Sequence, residues 1–298
     1  MFCFFALVVL IANKPEFSLL CPMSLFIASI NSGSNGNCYY VGNENEAVLV
    51  DAGVNCRETE RRMAKLGLSM GRVKAIFISH EHGDHIMGLP ALAKKYKLPV
   101  YISKVTLQGS GMGLPEELVH YFPSQPVSIG ALRITAFEKL HDAADPYSFI
   151  IEGSGVKIAV LTDIGKVCKQ TIHYFRQCHA VFLESNYDEE MLRTGGYSQR
   201  LQNRIRGGKG HLSNDEALQL FVGHRSPYLS HLLLSHLSEH NNKPELALDL
   251  FSPFADELTI AVASRYQESP VYHIQHTGDN SALSKSLVPF HTVQYSLF

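Results

Sequence analysis

The chain has 298 residues, and its 45% hydrophobic residues, spread along the whole length, exclude a disordered or low-complexity protein. The formal net charge of −2 excludes a global electrostatic attraction to nucleic acid, so any such attraction must come from a local patch. The six cysteines form no CxxC pair and the chain is too long for a small disulfide scaffold, so we expect a cytoplasmic protein with reduced thiols.

The first 22 residues require an interpretation of their own. The apolar run from Phe2 to Ala12 is too short for a relaxed membrane span, and no Lys or Arg precedes it. Met23 stands directly before strand-like sequence, so we interpret residues 1–22 as an upstream extension or a disordered leader, with an export signal as the alternative. We place the folded domain at 23–275 and a loosely ordered tail at 276–298, and expect no membrane association.

The predicted elements alternate between strands and helices. Apolar runs bounded by turn residues predict strands at 24–30, 38–41, 47–50, 73–79, 100–103, 132–137, 147–152, 157–161, 180–183, 232–235 and 258–263. Helical spacing predicts helices at 58–66, 87–97, 165–176, 187–205, 214–223 and 244–250. Strands followed by helices, twice over, predict two β-sheets packed face to face with helices outside, in one domain of the α/β class.

The sequence His80-Glu81-His82-Gly83-Asp84-His85 directly follows a predicted buried strand. Imidazole and carboxylate groups are ligands for zinc, manganese or iron. His80 and His82 are two residues apart, so an extended backbone points them the same way, while Asp84 and His85 come from the next turn and can reach a second ion. The alternative is a solvated polar loop, which the density of these residues disfavours.

One hexapeptide cannot fill two coordination shells, so further ligands must come from distant strand ends. His141, Asp163 and His236 each stand where a predicted strand runs into a turn. Each alone would be an ordinary loop residue, but as a set behind the HxHxDH sequence they indicate a metal centre.

This order of motifs resembles the metallo-β-lactamase superfamily over about residues 24–275. The resemblance implies a four-layer αββα sandwich and two divalent ions, zinc or manganese. It implies that His80, His82 and His141 hold one ion, that Asp84, His85 and His236 hold the other, and that Asp163 bridges them. Asp51, in Val50-Asp51-Ala52-Gly53, matches the superfamily's structural aspartate, which supports the ligands without being one.

A narrower resemblance is to the YycJ-type (WalJ-type) group, related to the phosphonate-pathway cyclic phosphodiesterase and to ribonucleases Z and J. The stretches that carry it are residues 32–37, 80–85, 185–188, 210–214 and 235–242. The resemblance implies phosphodiester hydrolysis, and in particular 5′-to-3′ exonuclease action on DNA, with RNA as a further candidate. A metal-bridging hydroxide oriented by Asp84 would be the nucleophile.

A basic stretch precedes a further candidate catalytic residue, His211. Between Met191 and Asn214 there is no acid but five basic residues, which are Arg193, Arg200, Arg204, Arg206 and Lys209. Such a patch binds phosphate backbones, although a solvated helix face would look similar. From the patch we expect Arg204 to contact the substrate, and the resemblance implies that His211 acts as general acid or phosphate ligand.

Two further segments are candidate phosphate sites. Ser213 could cap the following helix and leave its amides free for an anion. The loop Ser32–Asn37, with Ser34 and Asn37, could offer backbone N–H groups to a phosphate, or could be a simple tight turn.

The last five residues, Gln294-Tyr295-Ser296-Leu297-Phe298, resemble the bacterial sliding-clamp-binding motif. In that motif, residues matching Gln294, Leu297 and Phe298 would fill a hydrophobic groove of the clamp. This predicts a partner in DNA replication or repair; the alternative is a tail that packs onto the domain.

Three functions remain open on these residues. The leading one is a dinuclear DNA exonuclease. The second is a small-molecule hydrolase acting on a cyclic phosphodiester or a thioester, which a narrow pocket without a basic groove would favour. The third is a non-catalytic scaffold, against which the intact ligand set argues. Class B β-lactamases usually carry Cys where this chain has Asp163, which argues against antibiotic hydrolysis.

Overall fold

Runs of Ile, Val, Leu and Tyr in the first part of the chain build a seven-stranded sheet, seen in a computed structural model that describes residues 24–276. Its strands are β1 (Ser24–Asn31), β2 (Cys38–Gly42), β3 (Ala47–Val50), β4 (Val73–Phe77), β5 (Val100–Ile102), β6 (Val119–Tyr121) and β14 (Tyr272–Gln275). They lie in the order β14-β1-β2-β3-β4-β5-β6. The pairs from β14 to β3 are antiparallel, and those from β3 to β6 are parallel.

The second sheet also has seven strands, in the order β13-β12-β11-β10-β9-β8-β7. Its strands are β7 (Val127–Ile129), β8 (Leu132–Glu138), β9 (Tyr147–Gly153), β10 (Val156–Leu161), β11 (Ala180–Glu184), β12 (His231–Ser235) and β13 (Thr259–Val262). The pairs from β7 to β10 are antiparallel hairpins, and those from β10 to β13 are parallel.

Helices cover the outer faces of both sheets. Their bounds are α1 (Cys56–Lys65), α2 (Gly83–Ile86), α3 (Leu89–Tyr96), α4 (Lys104–Ser110), α5 (Lys169–Phe175), α6 (Glu189–Thr194), α7 (Gln199–Arg206), α8 (Asn214–His224) and α9 (Pro244–Phe251). Short 3₁₀ turns lie at Met70–Arg72, Glu116–Leu118 and Ser252–Phe254. In the described chain no helix combines the length and hydrophobicity needed to cross a bilayer.

Two predicted helices differ from the observed ones. The segment 187–205 forms two helices, α6 and α7, because Gly195 and Gly196 interrupt it. The segment 165–176 becomes helical only at Lys169, because Cys168 is the N-cap and Lys166 pairs with Leu140 in a β-bridge. Five further elements were not predicted from the sequence, namely α2, α4, β6, β7 and β14.

The core lies in three layers between the four layers of structure. Alternate residues of the strands, such as Ile27 and Tyr39 from the first sheet and Phe149 and Phe182 from the second, fill the space between the sheets. The opposite faces bury Ile30 and its neighbours under α1 and α3, and another apolar cluster under α5, α8 and α9. The predicted αββα sandwich in a single domain is therefore confirmed. The four described cysteines are free thiols.

The parallel strands of the two sheets determine where polar side chains meet. Parallel strands end at the same edge of a sheet, and ligands bind outside those carboxyl ends in open α/β sheets. Asp51 follows β3, His80 lies beyond β4, Asp163 follows β10, and His236 follows β12. The edges of both sheets therefore bring together residues far apart in sequence.

Candidate metal centre

The first group of candidate ligands lies beyond β4. The strand ends at Phe77, and extended backbone through His80 and His82 leads into α2. Nδ1 of His82 lies 3.0 Å from Nε2 of His80 and 3.4 Å from Nε2 of His141, which the chain beyond β8 supplies from the second sheet. Three imidazole nitrogens at these distances form a corner that a divalent cation fits.

A second group forms around Asp84 and His85 on α2. Oδ2 of Asp84 lies 3.5 Å from Nε2 of His85 and 3.5 Å from Nε2 of His236. Asp163 lies between the two groups, with Oδ2 3.1 Å from Nε2 of His85 and Oδ1 3.7 Å from Nε2 of His141. The structure thus brings the seven predicted ligands together, with Asp163 where a bridging carboxylate would lie.

Buried ligand atoms without a hydrogen-bond partner show whether these residues fit a cation. Oδ2 of Asp163 and Nε2 of His236 are buried without a hydrogen-bond partner within residues 24–276. A buried unpaired polar atom costs about 1–3 kcal/mol, and more when charged. The carboxylates of Asp51 and Glu184, both fully buried, add negative charge at the same place. The residues present therefore fit zinc or manganese, which accept imidazole and carboxylate ligands.

The charges of the cluster shift the protonation of its imidazoles. Burial disfavours a charged ring at His85, but the three surrounding aspartates outweigh it and hold the pKa of His85 well above its usual value. Burial also opposes charge on His236, yet neighbouring carboxylates, Asp163 foremost, raise its pKa to about 10. Burial prevails at His141 and lowers its pKa to about 4. Imidazoles that retain a proton among carboxylates mark positions where a metal cation can replace that proton.

Asp51 orients one of the candidate ligands. Its Oδ1 accepts a hydrogen bond from the backbone N–H of Ser79 (2.8 Å), and its Oδ2 lies 2.8 Å from Nδ1 of His85. This contact turns Nε2 of His85 toward the cluster. The φ angles of Asp51 (61°), Asp163 (53°) and His236 (57°) are positive. Left-handed backbone at non-glycine residues costs free energy, and such strain concentrates at functional sites.

Glu184, the last residue of β11, was missed by sequence analysis. Its Oε1 lies 2.9 Å from Nδ1 of His211 and 2.9 Å from Nδ1 of His236. Its Oε2 accepts hydrogen bonds from the backbone N–H groups of Ile164 (2.6 Å) and Leu212 (3.2 Å). Burial opposes ionisation, but His211 and the hydrogen bonds lower the pKa of Glu184 to about 2. Its position at the carboxyl end of a parallel strand is the signal that could have identified it.

A cleft with a volume of about 330 Å³ opens over the cluster. Four of the predicted ligands line it together with Ser34, Arg204 and His211. The ring of His211 is partly exposed, with Nδ1 held by Glu184. Arg204 is exposed and donates from Nε to Oδ2 of Asp142 (2.5 Å). The predicted catalytic histidine and one predicted substrate contact therefore share an opening with the metal-ligand candidates.

The basic stretch before His211 is less positive than the sequence predicts. Three of its five residues form ion pairs with carboxylates from outside the stretch, namely Arg193–Glu190, Arg204–Asp142 and Arg206–Glu189. Of the five, Arg204 is the residue that lines the cleft. The sequence window contained no acid because these partners precede it.

The other predicted phosphate contacts have different surroundings. Asn37 is fully buried, and its Nδ2 lies 3.2 Å from Oδ2 of Asp84 and 3.1 Å from Nε2 of His85, so it contacts ligands. Ser34 is exposed and its Oγ accepts a hydrogen bond from Arg265 (3.3 Å). Ser213 caps α8 in a capping box with Glu216 and is buried. The hydroxyl of Ser213 thus serves the helix instead of the cleft.

The profile described as "Beta-lactamase superfamily domain" matches residues 46–236. The chain is 33% identical over 254 residues to the exodeoxyribonuclease YycJ of Bacillus anthracis. The aligned region covers 82% of this chain and 94% of that protein. It is 31% identical over 222 residues to the exodeoxyribonuclease WalJ of Streptococcus pneumoniae, covering 72% and 82% respectively. The metallo-beta-lactamase fold protein YhfI from Bacillus subtilis, 17% identical, superposes with a TM-score of 0.64 over 84% of this chain and 99% of that one.

The YhfI superposition shows the shared fold, and the profile and the two curated relatives show the family. The clustered imidazoles and carboxylates lie at the carboxyl ends of parallel strands in both sheets. The chain belongs to the metallo-β-lactamase superfamily and is a metal-dependent hydrolase.

Proposed function

We propose that this hydrolase is a dinuclear phosphodiesterase that degrades DNA from its 5′ end. The observation that carries the proposal is His211, held by Glu184 and partly exposed in the cleft that also contains the candidate metal ligands. Such an acid beside a metal centre is suited to a reaction whose leaving oxygen needs a proton. The names of the relatives, exodeoxyribonucleases YycJ and WalJ, favour DNA as the substrate.

Five residues in or next to the cleft have roles in this mechanism. When bound, two divalent ions would lower the pKa of water and neutralise charge on the phosphate. Asp84 orients the attacking water, and Asn37 holds Asp84 by its amide. Arg204 contacts a phosphate oxygen, and His211 donates the proton on Nε2 to the leaving oxygen. Glu184 accepts a hydrogen bond from Nδ1–H of His211, so the proton that the imidazolium form gives up is the one on Nε2 and the ring is left as the neutral Nδ1–H tautomer.

A small-molecule hydrolase is the second candidate. A volume of about 330 Å³ lies at the lower end of the range of ligand pockets, about 300–1,000 Å³, and the ion pairs of the basic stretch weaken its attraction to a long polyanion. A cyclic phosphodiester or a thioester would fit such a cleft. Turnover of DNA compared with turnover of a cyclic phosphodiester and a thioester separates the two candidates.

The test is a substrate panel with protein whose zinc and manganese content has been measured. The substrates are 5′-labelled and 3′-labelled DNA, RNA, a cyclic phosphodiester and a glutathione thioester. We expect stepwise loss of nucleotides from the 5′ end of DNA, abolished in Asp84→Ala and reduced in His211→Ala with metal content retained. Turnover of the thioester alone, or of none of the phosphodiesters, would contradict the proposal.

The clamp-binding peptide and the domain limits are proposals that lie at or outside the ends of the described residues. We propose that the folded domain is 23–275 of a cytoplasmic protein and that Gln294, Leu297 and Phe298 bind a bacterial sliding clamp. Binding of purified clamp to the full chain, but not to a chain lacking the last five residues, tests the peptide.

A further inference from the structure

A second cavity, with a volume of about 310 Å³, opens beside the metal cleft. It lies beyond the ends of β12 and β13, which are parallel neighbours, so the segments that follow the two strands run side by side. His236 follows β12, and Arg265 lies three residues beyond the end of β13. Ser238 lines both the cavity and the metal cleft. The cavity therefore adjoins the metal cleft at Ser238.

The lining of this cavity combines apolar surface with a few polar groups. Leu237, Pro244, Val262 and Ala263 supply apolar surface. Aromatic heterocycles are bound by such surfaces when a small number of polar groups fixes their orientation. Half of the polar residues at this cavity, Arg265 and Tyr266 among them, come from the segment after β13.

Arg265 has hydrogen-bonding capacity that the described residues do not use. Its side chain is 11% exposed, with Nη2 3.3 Å from Oγ of Ser34 and 3.2 Å from Oε2 of Glu239. Its Nη1 is buried and has no hydrogen-bond partner among residues 24–276. A guanidinium nitrogen without a partner is costly, so Nη1 would gain from a ligand's acceptor when movement of the side chain exposes it to the cavity. Guanidinium groups suit phosphate oxygens in particular.

Tyr266 presents an aromatic ring next to this guanidinium. The residue is 72% exposed, and its hydroxyl donates to Oε1 of Glu239 (3.3 Å). The guanidinium of Arg265 lies 5.9 Å from the centre of the ring. Glu239 therefore holds both side chains at the cavity, and the exposed ring offers a face on which a base can stack.

We propose that this cavity, with Arg265 and Tyr266, binds one nucleotide of single-stranded DNA adjacent to the scissile phosphate. The base stacks on the ring of Tyr266 against the apolar lining, and the flanking phosphate binds Arg265. This subsite rests on the proposed function and adds to it a requirement for a base near the cleaved bond. The ring of Tyr266 contacts the face of the base and Arg265 contacts the phosphate, so neither forms a hydrogen bond with a base edge. The subsite therefore binds any of the four bases.

The test uses 5′-labelled single-stranded oligonucleotides with one abasic site at each of the first three positions. For the metal-loaded wild type we expect KM to rise about tenfold at one abasic position, the range expected for loss of one stacked base. Tyr266→Ala should raise KM about tenfold on complete DNA and respond no further to the abasic site. Arg265→Gln should raise KM both for the complete oligonucleotide and for the abasic one. Fluorescence anisotropy in chelator gives the same comparison as Kd, without turnover.

Two variants near the start of β12, at the end of the second sheet away from the metal centre, serve as matched controls. Tyr228 is an exposed tyrosine there, and Arg225 pairs with Asp256 as Arg265 pairs with Glu239. Tyr228→Ala and Arg225→Gln should behave like the wild type. A wild type that degrades complete and abasic strands alike overturns the subsite and leaves the proposed function intact. A wild type that degrades neither strand overturns the proposed function, and the subsite with it.

Discussion

Glu184 connects the proposed acid with a candidate metal ligand through a single carboxylate oxygen. His211 and His236 both direct Nδ1 at Oε1, so both rings present Nε2 toward the cleft. The carboxylate stays ionised at neutral pH, because its hydrogen bonds and the neighbouring imidazoles hold its pKa at about 2 despite complete burial. A side chain of this kind acts through the residues that it orients.

We predict that Glu184→Gln lowers kcat on DNA about 10- to 100-fold, the usual cost of removing such a partner. The amide keeps the size of the side chain, but it lacks the negative charge that strengthens both imidazole contacts, and its NH₂ group cannot accept from Ile164 and Leu212 as Oε2 does. The loss should be much smaller on bis-p-nitrophenyl phosphate, because its leaving group departs without a proton. Equal losses on both substrates, with metal content unchanged, would show that Glu184 does not act through His211.

His179 has a pH-dependent effect on stability, at the edge of the second sheet opposite the metal centre. Its Nδ1 accepts a hydrogen bond from the backbone N–H of Lys157 (3.1 Å), which only the neutral ring can do. Burial, followed by the charges of His276 and Lys157, lowers the pKa of His179 to about 4. Since the unfolded value is about 6.5, the unfolded chain binds the proton first as pH falls. Native stability should therefore decrease between pH 6.5 and pH 4.

We predict that His179→Asn, which retains an acceptor and cannot be protonated, loses about 2 kcal/mol less stability than the wild type between pH 7 and pH 4.5. Urea unfolding of both proteins at the two pH values measures the difference. Parallel losses in the two proteins would contradict the assignment.

At the scale of elements, α2 is positioned by backbone contact with the segment after β3. A Cβ placed on Gly53 would lie 1.7 Å from the carbonyl oxygen of Asp84, so this position accepts only glycine. The amide of Gly53 donates to the carbonyl of Asn37 (2.9 Å), and that of Asn37 donates to the carbonyl of Asp84 (2.7 Å). The glycine lets three segments meet, and their meeting places Asp84.

We predict that Gly53→Ala destabilises the protein by about 1–3 kcal/mol, as overpacking does, and lowers metal content because α2 must shift. Gly83→Ala is the matched control. Gly83 lies in α2 next to Asp84, but a Cβ placed on it meets no atom within 4 Å. Thermal unfolding and metal analysis of the two variants provide the comparison. Wild-type metal content in both variants would show that the close contact of Gly53 with Asp84 does not position α2.

The sequence predicts the elements that local pattern encodes. Strands such as β4 and β10 are apolar runs that end in polar residues, and for this reason His80 and Asp163 could be singled out. Strands β6 and β7 have three residues each, too few for a visible alternation. The contacts of Glu184 with His211 and His236 span 27 and 52 residues, so no local pattern records them. The ion pairs that weaken the basic stretch likewise form only in the fold.

For the whole molecule, the candidate ligands come from both sheets, whose facing surfaces pack through a largely apolar core. The first sheet supplies His80, His82, Asp84 and His85, and the second supplies His141, Asp163 and His236. Divalent ions held by both sets would cross-link the sheets at their common edge. Ions that bind the native state alone stabilise it, by about 4 kcal/mol when their concentration is 1,000 times Kd.

We therefore predict that removing metal with a chelator lowers Tm, and that two equivalents of Zn²⁺ or Mn²⁺ restore it. Without metal, the buried carboxylates Asp51, Asp163 and Glu184 lose the cations that would offset their mutual repulsion. Loss of hydrogen-exchange protection should be concentrated in the segments after β4, β10 and β12 and spare the far edge around His179. Asp163→Asn, which removes the central charge, should bind less metal and show a smaller response to chelator. A Tm and an exchange pattern unchanged after complete metal removal would mean that no ion links the two sheets.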